Sequence, residues 1–475
     1  MKKIFILTTV TFMALVGCKK TELELTPFNQ IETTAAFNTQ ADVNLAVLGM
    51  YQGLRANNYV NGTWNIIADV MSDNLIISSL GRQTLTTFGD WRYNGDATLG
   101  FFQTGYTIIR RANAILENID RFPAGAFKDN AKGEALALRA FVYFDMARVF
   151  GKTFQNATTT DSILAYIKST NTKILPTKEP VRSFYPKLVA DLNEALPLIA
   201  TSNGVGRLNK AAVNGLLSRV HLYMGNWNEC ISASTAALGA TPNLPSRTDF
   251  PSIWTDATNN GVLFKIVNTT LDNINTPGVN YYQTVGGLIR SEYVCEYNLR
   301  QLYLTTDIRN STYIQTSLYN GVLQNHVIKY ATRPGQVAGV VDYKALRTAE
   351  VILNRAEAYY RLGGIANETL ALSDVNLLRA NRYSPNSPLV LTGQPLLDEI
   401  LLQRRLELAF EGDRFWDLKR RNESVSRNNV SGDRADGTGV RYIFTTLTAG
   451  DYRFQLPYPS TEINFNSNFK QNPGY

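Results

Sequence analysis

Two stretches of this chain repeat one order of small and large residues before a glycine, and that order limits the fold. Ala212, Leu216, Leu222 and Tyr223 precede Gly225, and Ala349, Leu353, Tyr359 and Tyr360 precede Gly363. A second apolar run follows each glycine, through Trp227, Ile231 and Leu238 in one case and Leu370, Ala371, Val375 and Leu378 in the other. Small residues let neighbouring helices approach and the glycine turns the chain, so both stretches read as helical hairpins of the tetratricopeptide type. Their first helices are expected over Lys210 to Met224 and Ala349 to Leu362. Another helix is expected from Ala131 to Phe150, stopped by Gly151. Ala137, Ala140, Phe141, Phe144 and Ala147 fall on one of its faces and Leu136, Tyr143 and Phe150 on another. Apolar residues on two faces predict a helix packed on both sides.

The character changes between about 242 and 342. Pro, Gly, Asn and Thr multiply there, and the run Val262 to Val267 leans toward strand without helical period. A long irregular segment inside a helical frame carries binding function or covers the core. The stretch from Asn422 to Thr438, rich in Asn, Ser, Gly and Asp, reads as a mobile loop. The fold class is therefore mainly α: tetratricopeptide-like helical hairpins packed against an irregular, loop-rich ligand-binding part with minor β.

The N-terminus states a destination. Lys2 and Lys3 precede an apolar run from Ile4 to Val16 that ends at Leu15-Val16-Gly17-Cys18. The run is too short to span a bilayer and polar residues follow it, so 1–17 reads as a cleaved export signal and Cys18 as the lipid-modified first residue of the mature chain. Residues 18–35, poor in large apolar side chains, read as a lipidated tether, and 36–475 as one domain. Membrane attachment would then be by the lipid alone. Cys230 and Cys295 are either one disulfide or two buried thiols.

Apolar residues make up 44% of the chain and charged residues 18%, which excludes a disordered or multi-span protein. The net charge of +7 is spread without a Lys/Arg block, so no nucleic-acid partner is implied. The two histidines, His221 and His326, lack metal-ligand spacing, and no nucleophile elbow, phosphate loop or dinucleotide fingerprint occurs. No metal, cofactor or catalytic residue is expected. The densest charged run is 403–418. Glu407 and Glu411, four apart, would share a helix face as an acid/base pair needs, but Arg404 and Arg414 stand near enough to neutralise them. A structural ion-pair network is the stronger reading.

At this run the chain resembles the SusD/RagB family of outer-membrane nutrient-binding lipoproteins. The resemblance rests on the Cys18 lipobox; Phe37 with Asp42-Val43 and Gly49-Met50-Tyr51; Ser72-Asp73-Asn74; Glu134 to Ala140; Arg355-Ala356-Glu357-Ala358; Glu411-Gly412 with Arg414; and the ending Gln471-Asn472-Pro473-Gly474-Tyr475. It implies a helical fold, a surface location on the outer membrane, and no chemistry of the chain's own. The implied role is to bind a nutrient, usually a glycan, and pass it to a SusC-like TonB-dependent barrel. The short Pro-containing motif expected after Phe150-Gly151 is absent, and 245–345 matches the pattern poorly.

Sugar rings stack their C–H faces on aromatic rings, and their hydroxyls need amide, carboxylate or guanidinium partners at the rim. Among loop residues of those types, Asn74, Arg82, Trp91 and Tyr93 follow Ser72-Asp73, and Tyr281 and Tyr282 lie in the irregular segment. These six are the expected ligand contacts. Competing readings are a helical scaffold that recruits proteins, a binder of another nutrient such as peptide, and a carbohydrate-active enzyme using Glu407 and Glu411.

Overall fold

The computed structural model describes residues 36–270, 276–427 and 431–475. The expected export signal 1–17, Cys18 and the tether 18–35 lie outside the described residues. The chain divides into two compact units, Met1–Leu45 and Ala46–Tyr475. In the first, Thr39 and Asp42 form a reciprocal cap at the start of the helix Gln40–Leu54 (α1). The Asp42 N–H donates to Thr39 Oγ1 at 3.2 Å and the Thr39 N–H to Asp42 Oδ2 at 2.8 Å.

The second unit is built on helices Phe101–Asn118 (α2), Ala126–Phe150 (α3), Val181–Ala195 (α4), Lys210–Met224 (α5), Trp227–Leu238 (α6), Thr348–Leu362 (α7), Ile365–Ala380 (α8), Gly393–Leu408 (α9) and Arg414–Arg420 (α10). α3 starts five residues earlier than expected, and every residue from Gly133 to Phe150 is buried. It packs on α2 and on α4. Arg139 crosses between them, pairing with Asp191 of α4 at 2.7 Å and donating to Asn113 of α2 at 2.8 Å.

The glycine-turned hairpins form as expected. Gly225 ends α5 in the left-handed conformation at φ +76°, and the Asn226 N–H returns to the His221 carbonyl at 3.0 Å. Leu222, Cys230 and Ala358 pack α5, α6 and α7 together, while Ala356, Ala371, Val375, Leu396 and Ile400 join α7, α8 and α9. Cys230 and Cys295 are two buried free thiols.

The segment from 242 to 342 is more ordered than its composition suggests. Strands Leu75–Ile77 (β1), Tyr293–Cys295 (β5), Val322–Val327 (β7) and Ile314–Tyr319 (β6) form an antiparallel sheet in the order β1-β5-β7-β6. Val262–Ile266 (β2) pairs with Tyr343–Arg347 (β8), which leads into α7. Gln283–Val285 (β3) and Leu288–Arg290 (β4) make a short hairpin.

The expected mobile loop 422–438 is corrected by its contacts, with 428–430 outside the described residues. Arg427 is buried, donates to the carbonyls of Val70, Ser72 and Gly89, and stacks on Trp91. Asp433 accepts from the Ser79 N–H and hydroxyl at 2.7 Å each. The polar composition serves tertiary hydrogen bonds rather than solvation. The C-terminal ending is likewise structural: buried Asn472 donates to the carbonyls of Phe150 and Leu456 at 2.8 Å each.

Candidate functional site

The charged run of the sequence folds into the core. α9 ends at Leu408, and Phe410 and Gly412 both adopt positive φ, so Glu411 leaves the helix face it was expected to share with Glu407. A side chain at Gly412 would collide with the Trp64 carbonyl, and its N–H donates to Asp69 at 2.9 Å. The expected partners are also corrected. Glu407 accepts from Arg347 at 2.7 Å, Arg382 at 3.0 Å and Arg309 at 3.2 Å, and Glu411 accepts from Arg347 at 2.5 Å and Lys329 at 2.7 Å. Arg414 belongs instead to Asp73 at 2.8 Å, and Arg404 to Asp417 at 3.0 Å.

Burial alone would raise the Glu407 carboxyl, but the surrounding arginines outweigh it and hold the group well below its ordinary range. A carboxylate so held cannot supply a proton, and both of its oxygens are already occupied. Burial pushes Lys329 down to about 7 while Glu411 opposes the shift. Lys329 also stacks on Tyr313 and Trp254. Asp69 is pushed up to about 6 by burial, against hydrogen bonds from Asn74, Gly412 and Phe410. Among the described residues there is no cluster of His, Cys, Asp and Glu suited to a metal ion.

The six expected ligand residues part company. Asn74 is buried, donates to Asp69 at 2.7 Å and accepts from Arg405 at 3.0 Å. Trp91 is buried with its Nε1–H on the Met71 carbonyl at 2.8 Å. Tyr93 is buried, donates to the Arg453 carbonyl and stacks on Phe88. Tyr281 ends a short helix, fully buried and stacked on Tyr330. These four turn no face to a ligand, which corrects the expectation for them. A loop-like composition did not reveal that each ring or amide has a partner from a distant part of the chain.

Arg82 and Tyr282 remain reachable, and the fold brings their two segments together. The Ser78 N–H bonds the Glu292 carbonyl at 2.9 Å, the Ser291 hydroxyl bonds the Tyr281 carbonyl at 2.5 Å, and Arg82 Nε meets Glu292 at 3.0 Å. The Arg82 side chain is 51% exposed and Tyr282 is half-buried. Beside them the β3–β4 hairpin exposes Val285 and Leu288, and half-buried Arg290 stands 3.9 Å from Glu292. Gln83, Leu85 and Trp91 hold positive φ within this one loop, a cost the surrounding contacts must offset.

A cleft of about 930 Å³ opens elsewhere, between α2, the 167–176 segment and residues 459–469. None of the six expected residues lines it. Nothing in the sequence marks it, because Phe465 sits between Ile463 and Phe469 in a short mixed stretch.

Residues 230–475 match the model of the SusD family, and residues 23–222 match one described as starch-binding associating with outer membrane. The chain is 26% identical to SusD-like protein P2 of Formosa agariphila over 100% of both chains. Over 31% of this chain and 23% of the other it is 31% identical to the starch-binding protein SusD of Bacteroides thetaiotaomicron. A crystal structure of a putative sugar binding protein from Bacteroides vulgatus superposes with a TM-score of 0.82 at 25% identity, over 93% of this chain and 99% of that one. Surface glycan-binding protein A from Bacteroides fluxus shares the fold, with a TM-score of 0.73 at 21% identity over 92% and 100%.

Proposed function

The chain belongs to the SusD family, whose members associate with the outer membrane, and we propose that it is a cell-surface lipoprotein that binds a glycan and delivers it to a SusC-like TonB-dependent barrel. The anchor is the acylated Cys18, and the chain performs no chemistry on its ligand. The ligand meets the tied segments that carry Arg82 and Tyr282. The observation that supports this placement is that two segments about two hundred residues apart are tied through Glu292, while the Arg82 side chain stays 51% exposed and Tyr282 is half-buried. A ring face for sugar C–H groups beside a fixed donor for hydroxyls is what such a ligand needs. Among the described residues no helix is long and apolar enough to cross a membrane.

The test is a mature chain carrying Cys18→Ala, measured against a glycan panel for binding and for product release. Binding without product, reduced about tenfold or more by the Arg82→Ala, Tyr282→Ala double substitution, is the expected result. Product release would replace the binding role with an enzymatic one. In cells, the Cys18→Ala chain should leave the membrane fraction, and the wild-type chain should co-purify with a barrel protein.

A further inference from the structure

The cleft of about 930 Å³ is unused by the function proposed above, and its walls are built and fixed. The Ser460 N–H bonds the Gly95 carbonyl at 2.8 Å, Asn466 Nδ2 the Pro176 carbonyl at 2.9 Å, and Asn468 Nδ2 the Leu175 carbonyl at 3.1 Å, so three sequence-distant segments are tied around one opening. Its floor is aromatic: Phe102 meets Tyr106 edge to face at 5.0 Å and Phe469 at 5.9 Å. Phe465 stands at the lip with 76% of its surface exposed, leaving a ring face open to a ligand. A volume of about 930 Å³ lies in the upper part of the range for small-molecule sites and suits an extended ligand of several rings.

The polar groups narrow the class of ligand. A peptide added as a strand needs free backbone donors on the wall. In the 167–176 segment the N–H groups of Ile167, Thr170, Asn171 and Lys173 are already given to Tyr143, Glu117, Ser169 and Asn171. The opposite walls include helix α2 and the short helix Ser460–Phe465. Those four donors are committed, and side chains supply further polar groups of the lining. Glu462, half-buried in the cleft, forms no ion pair among the described residues, and neither does Arg110 on the other wall. Burial pushes the Glu462 carboxyl up, against a hydrogen bond from the Asn466 side chain. Asp96 and Glu462 against Arg110 leave the lining near neutrality, with no cationic surplus to draw in an acidic polymer.

We propose that this cleft is a second binding site for a neutral oligosaccharide, with sugar rings stacked on Phe465 and Tyr106 and hydroxyls bonded to Glu462, Arg110 and Gln103. The ligand class rests on the carbohydrate-binding reading above; the location does not. The two sites would hold separate stretches of one polymer, so that a chain engaged at both is released more slowly than from either alone.

Affinity electrophoresis in gels containing soluble starch, laminarin or alginate tests it, using the mature chain, F465A, a double R110A/E462Q and a double R82A/Y282A. The expected result is retardation by a neutral glycan that falls about tenfold in F465A and in R110A/E462Q, with the thermal midpoint of F465A unchanged because its ring is exposed, and with binding of R110A/E462Q compared per folded molecule because Glu462 is half-buried. Retardation that survives both cleft variants but is lost in R82A/Y282A would overturn the cleft and keep the carbohydrate-binding reading. Retention by alginate alone, abolished in R110A/E462Q, would overturn the neutral class. Wild-type chain retarded by none of the gels would overturn the ligand class on which both sites rest.

Discussion

Glu407 meets Arg309, Arg347 and Arg382 with every side chain at 2% exposure or less, whereas Glu292, itself buried, meets an Arg82 side chain that is 51% exposed. The chemistry is the same in both places. In the core, each charge has left water and is stable only because its partners are fixed around it, so the group is committed to the fold. At the loop, Glu292 orients one end of the guanidinium while solvent screens the rest, and the exposed part stays available to a ligand. A dense charged run is therefore a poor guide to a binding face.

Breaking the core centre should have the largest effect. Glu407→Ala leaves three buried guanidinium groups short of a partner and should cost at least about 3 to 5 kcal/mol in a urea unfolding series. A loss under about 1 kcal/mol would mean that water or another carboxylate takes its place, and the contrast with Glu292 would collapse. Glu411→Ala should act in the same direction through Lys329 and Arg347, leaving ligand affinity per folded molecule unchanged.

Trp91→Ala tests the boundary between the two regions, since the residue sits in the strained loop yet belongs to the core. Stability should fall by about 3 to 5 kcal/mol. Isothermal titration of the folded fraction should show unaltered affinity; a selective loss of affinity would return Trp91 to the ligand face.

Acid titration sharpens the comparison. The folded Glu407 carboxyl lies well below its unfolded value of about 4.3, so its contribution is present above that pH and is lost as pH falls through the folded value. Asp69 acts oppositely: its folded value of about 6 makes its contribution greatest below about 3.9 and lost as pH rises to 6. The acid limb of stability below about pH 4 should therefore be shallower in Glu407→Gln than in wild type, and equal slopes would show that the arginines do not hold that carboxylate ionised. The smallest stability effect belongs to Arg82→Ala, at about 1 kcal/mol or less, accompanied by weaker glycan binding. A larger loss of stability would make Arg82 a structural residue like Arg347.

The hairpins at 210–238 and 348–380 were legible because helical period, small residues at the contacts and a turning glycine are all local properties of the sequence. The tetratricopeptide-like class followed from them; the run at 403–418 could be read as structural, but the partners of Glu407, Glu411 and Arg414 come from outside it. The identity of the partners was not local. Arg347 reaches Glu407 across 60 residues and Arg309 across 98, and Arg427 covers Trp91 from the far end of the chain. The sheet that joins β1 to β5 was invisible for the same reason: a three-residue strand carries no period to read, and its pairing depends on a segment more than two hundred residues away. Sequence alone thus determined the helical frame, because neighbouring residues suffice to encode it, and it carries the expectation of an export signal ending at Cys18. Which aromatic rings are buried, which arginine stays exposed and where a cleft opens were decided only by tertiary packing, because burial is a property of what the rest of the chain brings to a side chain and not of the side chain itself.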